Sequence, residues 1–297
     1  MNERRSLVKV PASSANLGPG YDVLAAALGL RLELEVARGD EFAVEVGGLD
    51  VPADRSNLCV RAFERLHSAE GLRFKIRSDI PLAAGLGSSA AAIVAGLVAA
   101  DDVFGLGNSR EVIFELAAEV EGHPDNVAAA LYGGVTVCPP ADLEPTAVAQ
   151  VPIRLKPPEG VEPLLVIPEG KVPTSEARAA MPAEVPLSDA TANVAAAAHV
   201  VLGIERSDLK LIARGLTDRI HQPRREALYV RSMELVREAR ALGALGATIS
   251  GAGPTVLVWC DRQSADGVEH ALRSRVGGWA EVRRAPFSAL GAEISQL

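Results

Sequence analysis

The sequence predicts an α+β protein of two domains, and three observations support this prediction. The chain has 297 residues, about twice the length of a typical domain. A proline-rich stretch over residues 139–162 is the best candidate boundary, so we expect domains at residues 1–158 and 159–297. From residue 164 onward the expected order is a strand, several helices, two strands, a helix and a strand. That order is typical of helices stacked on one face of an antiparallel sheet.

Composition limits the classes of partner. The hydrophobic fraction is 48% and the charged fraction is 23%, as in ordinary soluble proteins. A net charge of −8 argues against nucleic acid as a partner, because phosphate backbones require a basic surface. The three cysteines lie far apart, no apolar signal segment follows Met1, and residues 82–100 are too rich in small side chains for a membrane span. We therefore expect a cytoplasmic protein that binds neither nucleic acid nor membranes.

The predicted strands follow from alternation and turn signals. Residues 30–36 alternate apolar and charged side chains, which predicts a half-buried strand. The turn signal Gly39-Asp40 predicts a hairpin between this strand and residues 41–46. The other expected strands cover residues 6–10, 72–76, 133–138, 147–155, 164–167, 247–250, 255–260 and 279–284.

The predicted helices follow from caps and apolar periodicity. Asn57 is a favourable cap for a helix over residues 58–69, and Ser109 for a helix over residues 110–121 that ends at Gly122. The other expected helices cover residues 88–104, 124–131, 188–202, 208–216, 226–242 and 264–275.

The strongest local motif is a glycine-rich loop over residues 81–91 that leads into an alanine-rich run. Glycine permits close backbone approach, and a helix N-terminus offers free N–H groups and a positive dipole end, which together suit a phosphate group. An ordinary loop-to-helix junction explains this stretch equally well on its own. The loop contains no lysine, so phosphate charge would be met by backbone N–H groups, Mg²⁺ and residues from elsewhere.

Two other segments concentrate polar side chains. Residues 11–22 form a long run of small polar residues, glycine and proline, where Asn16 and Asp22 are placed to contact a polar ligand. Residues 119–126 gather two carboxylates, an imidazole, Asp125 and Asn126. Without further context, a helix cap at Asp22 and a capped helix–helix corner with solvated acids are the plainer interpretations.

Five ordered segments resemble one family. Residues 11–22 (PASSANLGPGYD), 81–90 (PLAAGLGSSA) and 250–255 (SGAGPT) are similar to motifs of the GHMP kinase superfamily, and the first of these to its homoserine kinase family in particular. Residues 121–126 (EGHPDN) and 218–225 (DRIHQPRR) also resemble homoserine kinase segments. Together the five are far more specific than any one of them.

The resemblance implies a two-domain GHMP kinase fold, with an N-terminal domain like domain 2 of ribosomal protein S5 and a C-terminal ferredoxin-like α+β sandwich. It implies ATP-dependent phosphorylation of the L-homoserine hydroxyl, with Mg²⁺, by a homodimer. The alternatives are another small-molecule GHMP kinase, acting on mevalonate, shikimate or threonine, or a non-catalytic nucleotide-binding regulatory relative.

On the nucleotide side, the resemblance implies that the Ser89 hydroxyl and the Glu119 carboxylate hold Mg²⁺, with Ser88, Glu115 and Glu121 as competitors. The implied ATP-binding residues are Asn57, Pro81, Leu82, Ala83, Ala84, Gly85, Leu86, Gly87, Ser88, Ser89, Ala90 and Ala91.

On the acceptor side, Arg178 and Arg225 would hold the substrate carboxylate, and Asp22 would hold its ammonium group. Asn126 would orient the hydroxyl or stabilise the transition state, because an amide cannot act as a base. The further implied substrate-binding residues are Asn16, His123, Asp125, Thr174 and Gly251.

Two positions depart from the family pattern. Tyr21 stands where the first motif often has phenylalanine, which adds a hydroxyl. Arg224 replaces an expected aromatic residue, so either Arg224 or Arg225 could reach the carboxylate. Arg178 lies in a proline-punctuated stretch, residues 169–187, which we expect to close over the substrate.

Overall fold

A seven-stranded sheet forms the first layer of the molecule, whose computed structural model describes residues 5–139 and 151–296. Its strands are β1 (Ser6–Ala15), β2 (Leu24–Arg38), β3 (Ala43–Glu45), β4 (Leu72–Ser78), β5 (Val135–Val137), β6 (Ile153–Leu155) and β11 (Glu293–Gln296). The main path runs β11-β1-β2-β4-β3, and β5 joins β2 to β6. The alternation predicted for residues 30–36 is confirmed, since Leu32, Leu34 and Val36 are buried.

Four helices pack with this sheet around a core of small apolar residues. They are α1 (Leu58–Phe63), α2 (Ser88–Phe104), α3 (Arg110–Glu121) and α4 (Asp125–Tyr132). The alanine-rich α2 is almost wholly buried, as its composition predicts. A Cβ at Gly96 would overlap the carbonyl oxygen of Cys59, so α1 and α2 approach as closely as two backbones can. This packing holds the middle of α2 against α1.

A four-stranded antiparallel sheet forms the other layer, in the order β10-β7-β9-β8. Its strands are β7 (Val161–Pro168), β8 (Gly246–Ile249), β9 (Val256–Asp261) and β10 (Ala280–Arg284). The accompanying helices are α5 (Thr174–Ala179), α6 (Leu187–Arg206), α7 (Leu209–Gly215), a 3₁₀ helix (Pro223–Leu228), α8 (Val230–Glu238) and α9 (Ala265–Val276). The predicted α+β class is confirmed.

The predicted hairpin after residue 36 is wrong. Strand β3 pairs in parallel with β4, whereas β4 itself lies beside β2 with Leu34 opposite Ile76. Phe74 and Ile76 bury the inner face of β4, but the residues of β3 are at best half-buried, so β4 takes the interior position and β3 the edge.

Two predicted helices differ most from the structure. The helix expected over residues 58–69 ends at Phe63. The long helix expected over residues 226–242 is divided at Tyr229, whose non-helical backbone (φ −154°, ψ 60°) separates the 3₁₀ helix from α8.

The C-terminal strand β11 was not predicted. It pairs antiparallel with β1, with Val8 opposite Ile294, and so returns the chain to the first sheet. The division at residues 158 and 159 stays a prediction. Of the strand expected over residues 147–155, the part up to residue 150 lies outside the described residues, and the rest contains β6.

One described helix, α6, is long and apolar enough to cross a membrane by length and composition alone. It has a mean hydropathy of 1.3, and 28% of that window is buried. Its inner side carries the buried Asn193, while Leu187 and Val194 are 83% and 71% exposed. The stretch weighed as a span from the sequence, residues 82–100, forms instead a loop and most of α2, whose residues from Ala90 onward are largely buried in the core.

Candidate active site

A cleft of about 280 Å³ lies between the N-terminal end of α2 and the loop that follows β8. Residues from all five sequence motifs line it. The predicted site residues that do so are Asn16, Asp22, Ala83, Gly85, Leu86, Gly87, Ser88, Ser89, His123, Asp125, Asn126, Thr174, Arg178, Arg225 and Gly251.

Backbone contacts bring three of these motifs together. The Ser13 N–H donates to the carbonyl of Leu86 (3.1 Å), and the Gly251 N–H donates to the carbonyl of Ala15 (3.1 Å). The Ser250 hydroxyl is shared between Ser14 Oγ (2.8 Å) and the Gly85 carbonyl (2.6 Å). Strand β1, the glycine-rich loop and the loop after β8 therefore contact one another.

The glycine-rich loop is shaped by two left-handed glycines. Gly85 has φ +78°, and a Cβ there would overlap the Ser250 carbonyl oxygen. Gly87 has φ +66° and is the residue from which α2 begins, with no side-chain cap. The first N–H groups of α2 have no intrahelical acceptor, so they and the helix dipole are available to an anion in the cleft.

A hydroxyl and a carboxylate meet beside this helix end. Ser89 Oγ donates to Glu121 Oε1 at 2.5 Å. Burial raises the pKa of the Glu121 carboxyl above its usual range, against the lowering effect of the Ser89 hydrogen bond. The pair supplies two oxygen donors of the kind that Mg²⁺ prefers.

The structure does not bring Glu119 to the cleft, and this corrects the sequence prediction. Its side chain is 63% exposed and pairs with Arg65 at 2.9 Å. Two positions along a helix turn a side chain by about 200°, so Glu119 and Glu121 point in nearly opposite directions. Glu115 is exposed as well. The helical periodicity of α3 could have predicted this, because Glu121 follows the buried Ala117 by four residues and so lies on the same face of the helix.

His123 and Asp125 form a hydrogen-bonded pair at the start of α4, with 2.9 Å between Nδ1 and Oδ1. Burial alone would lower the pKa of His123, but the hydrogen bond and charge of Asp125, together with Glu121, outweigh burial and raise it. The Asn126 amide is buried next to them, and its Oδ1 accepts a hydrogen bond from Ser13 Oγ at 2.9 Å.

Asp22 and Arg178 form an ion pair with two hydrogen bonds on one wall of the cleft, with distances of 3.0 and 3.1 Å. Asn16 supports this arrangement, because its Oδ1 accepts from the Asp22 N–H and its Nδ2 donates to the Gly251 carbonyl. Both Asn16 and Asp22 have left-handed backbones, with φ +70° and +57°. Such conformations cost free energy in residues other than glycine and are common at ligand sites.

Arg225 is a buried cation at the other end of the acceptor region, and 2% of the residue is exposed. Its Nε donates to the Ala177 carbonyl (2.8 Å) and its Nη1 to the Gly251 carbonyl (3.4 Å). Within the part of the chain that the structure describes, no carboxylate forms an ion pair with it. Arg224 is exposed, so of the two arginines it is Arg225 that lines the cleft.

Seven predicted site residues do not line this cleft. Asn57 caps α1, accepting from Cys59 N (3.0 Å) and donating to the Pro52 carbonyl (2.7 Å), so its amide is used locally. Glu119 pairs with Arg65 away from the cleft. The remaining five belong to the segment 81–91 but do not line the cleft, and are Pro81, Leu82, Ala84, Ala90 and Ala91.

Sequence reasoning missed several wall residues. Tyr21 lines the cleft between Arg178 and Arg225. In the sequence, the only feature that drew attention to Tyr21 was its departure from the family pattern. Ala15, Val172, Pro173 and Ala252 supply apolar surface. Small apolar residues have no functional group that marks them as site residues in a sequence, so only the structure identifies them as part of the cleft.

Comparisons with known proteins identify the family of the chain. The family models for the GHMP kinases N terminal domain and the GHMP kinases C terminal match residues 57–134 and 200–277. A homoserine kinase of Synechococcus sp. is 37% identical over 95% of this chain and 92% of its own. One from Nostoc punctiforme is 39% identical over 96% and 97%.

Solved structures give the same result. The crystal structure of homoserine kinase from Cytophaga hutchinsonii has a TM-score of 0.86 and 27% identity, covering 99% of this chain and 98% of that one. Mevalonate diphosphate decarboxylase from Staphylococcus aureus has a TM-score of 0.72 at 16% identity, covering 99% and 98%, and so shares the fold.

Proposed function

Because the chain belongs to the homoserine kinase family of the GHMP kinases, we propose that it transfers the γ-phosphoryl group of ATP to the side-chain hydroxyl of L-homoserine. The products are O-phospho-L-homoserine, which is used in threonine biosynthesis, and ADP. The observation that carries this proposal is the division of the cleft, with an uncharged helix end on one wall and the charged side chains Asp22, Arg178 and Arg225 on the other.

The glycine-rich loop is the proposed phosphate site. Gly85 and Gly87 let the loop pack directly against the Ser250 carbonyl and Ser13 Oγ, which holds the loop backbone at the start of α2, and α2 adds its free N–H groups and positive dipole end. These groups stabilise negative charge without lysine. Phosphoryl transfer depends mainly on such positioning and charge neutralisation.

Mg²⁺ fits the Ser89–Glu121 pair. A hydroxyl and a carboxylate at 2.5 Å are hard oxygen donors beside the phosphate site, and burial of Glu121 favours a cation as its partner. Among the described residues, no group of three or more His, Cys, Asp or Glu side chains could hold a metal ion by itself. Phosphate oxygens and water would therefore complete the shell. Bound Mg²⁺ neutralises charge on the transferring phosphoryl group.

The acceptor wall suits an amino acid. Arg225, a buried cation with no described carboxylate partner, would receive the substrate carboxylate, and Arg178 would form the second contact. Asp22 would then exchange its contact with Arg178 for the substrate ammonium group. Thr174, His123 and Asp125 line the same region of the cleft.

The substrate hydroxyl would lie next to Asn126. An amide donates and accepts hydrogen bonds but takes no proton at neutral pH, so Asn126 orients the hydroxyl or stabilises the transition state. In the transfer, the bond from oxygen to the γ-phosphorus forms and the bond to ADP breaks. The hydroxyl proton leaves to the transferred phosphate or to water.

A coupled ADP-release assay with homoserine, threonine, mevalonate and shikimate as acceptors tests the proposal. We expect homoserine to give the highest kcat/KM and a product whose mass corresponds to phosphohomoserine. A preference for another acceptor would assign the chain to a different small-molecule kinase. ATP binding without turnover of any acceptor would indicate a regulatory protein.

We also propose that the enzyme is a homodimer that acts in the cytoplasm, bound to neither nucleic acid nor membranes. The exposed apolar side chains Leu187, Val194 and Leu202 on α6 support a contact between two copies. Light scattering after size-exclusion chromatography should give twice the monomer mass, and Val194→Glu should reduce it. Recovery from the membrane fraction of a cell lysate would contradict the proposed location.

A further inference from the structure

Ser13 touches both halves of the cleft, although no step of the reaction above uses it. It lies on β1 with no exposed surface. Its N–H donates to the Leu86 carbonyl in the glycine-rich loop (3.1 Å), and its Oγ donates to Asn126 Oδ1 (2.9 Å). One residue therefore connects the proposed phosphate site to the proposed hydroxyl site.

Ser13, Asn126 and the glycine-rich loop pack together without free space between them. A Cβ at Gly87 would overlap Ser13 Oγ and lie 3.0 Å from Asn126 Oδ1, so the three residues are in direct contact. Gly87 is also the residue from which α2 begins. The Ser13 hydroxyl is thus held in place by its own position on β1 and by its contact with Gly87 of the glycine-rich loop.

The hydrogen bond determines which end of the amide faces the cleft. An asparagine side chain has an acceptor oxygen and an NH₂ group with two donors. Because Oδ1 receives the Ser13 hydroxyl, Nδ2 is the polar group left for a ligand, and Asn126 lines the cleft. Asn126 would therefore act as a hydrogen-bond donor toward the reacting oxygen.

We propose that Ser13 is a positioning residue that orients the Asn126 amide, with its NH₂ group toward the acceptor hydroxyl, at a fixed distance from the phosphate loop. This inference rests on the proposed kinase activity. Loss of the Ser13 hydroxyl would free the amide to rotate, which affects the chemical step more than the binding of either substrate.

A double-mutant cycle between Ser13→Ala and Asn126→Ala tests this. We expect Ser13→Ala alone to lower kcat about tenfold, with both KM values within about twofold of wild type. In the Asn126→Ala background, Ser13→Ala should cause no further loss, because the group that it orients is absent.

Ser6→Ala is the matched control. Ser6 lies on the same strand, is equally buried, and its Oγ has no hydrogen-bond partner among the described residues. We expect its kcat and thermal midpoint to match wild type, and Ser13→Ala to remain folded by the same thermal measurement.

Two results would overturn the inference while leaving the kinase activity established. They are a Ser13→Ala kcat within twofold of wild type, or an equal loss in both backgrounds, which would indicate a merely structural role. A wild-type enzyme without homoserine-dependent ADP release would instead overturn the proposed function, and this role with it.

Discussion

The two walls of the cleft are built in different ways. The phosphate wall comes from one contiguous segment, residues 81–91, that contains no charged side chain and presents backbone groups. The acceptor wall gathers charged side chains from four separate parts of the chain, in the loops or helices that carry Asp22, Asp125, Arg178 and Arg225. One wall depends on backbone shape, and the other on side-chain charge.

The difference predicts how each wall responds to a ligand. Helix dipoles and loop N–H groups are already oriented, so phosphate binding needs little rearrangement. In the acceptor wall Asp22 and Arg178 form an ion pair, which the proposed amino-acid substrate would have to separate. Changes of shape should therefore disrupt the phosphate wall, and changes of charge the acceptor wall.

The largest effect should come from Gly87→Ala. A Cβ there overlaps Ser13 Oγ and requires an alanine at φ +66°, so the loop must move. We expect at least a ~100-fold loss of kcat/KM, since a displacement of about 1 Å is enough for that. ATP binding measured by calorimetry should weaken too.

Gly107→Ala is the control for backbone strain alone. Gly107 has φ +75° but nothing within 4 Å of a Cβ, so this variant should lose about 1 kcal/mol of stability and keep its activity. Equal activity losses in the two variants would show that the tight packing at Gly87 is unimportant.

Glu121→Gln should come next, with kcat falling about 100-fold at saturating Mg²⁺-ATP because the carboxylate proposed to bind Mg²⁺ is lost. Glu119→Gln is the matched control on the same helix and should behave as wild type, since Glu119 is exposed and paired with Arg65. A stronger effect at Glu119 would restore the prediction made from sequence.

Glu121→Gln should also change how the stability of the protein depends on pH. Because burial raises the pKa of Glu121, the folded protein binds this proton more tightly than the unfolded chain. The contribution of Glu121 to stability is thus present at low pH and lost as pH rises through the folded-state pKa. Glu121→Gln should therefore raise the thermal midpoint at neutral pH by about 1–2 °C and lose this advantage on acidification.

The sequence predicts the phosphate wall better than it predicts the acceptor wall. The bounds of α2 and its place after the glycine-rich loop agree with the prediction, because Gly87, the serines and the alanine run are local signals. The sequence could not place Glu119 correctly, because it puts Glu119 and Glu121 equally near the cleft and only the packing of α3 decides that Glu121 faces it. The pairing of Asp22 with Arg178, 156 residues apart, has no local signal at all.

The comparison between the two arginines should give the next largest effect. Arg225→Ala should raise KM for homoserine about fiftyfold, since a buried charged contact is lost. Arg178→Ala should raise it about fivefold, because Arg178 is more exposed and its removal also frees Asp22. Steady-state kinetics should show KM for ATP little changed in both. Equal changes in the two KM values would contradict the charge-based acceptor wall.

Tyr21→Phe should have the smallest effect and is the finest test of that wall. The Tyr21 hydroxyl lies 3.4 Å from Arg178 Nη1 and 3.4 Å from Arg225 Nη2, and the Arg225 guanidinium lies 5.1 Å from the ring centre. Phenylalanine keeps the ring contact and removes the oxygen between the two cations. Because both hydrogen bonds are long, we expect KM for homoserine to rise only about threefold, with kcat unchanged.

The role of Tyr21 depends on the substrate carboxylate, and an analogue can show this. For 3-aminopropan-1-ol, which is homoserine without its carboxylate, wild type and Tyr21→Phe should have the same kcat/KM. Tyr132→Phe is the control, since the Tyr132 hydroxyl is buried without a hydrogen-bond partner among the described residues. A threefold loss on both acceptors would mean that the hydroxyl shapes the cleft in general, and the two arginines would then be held apart by Asp22 and the backbone carbonyls alone.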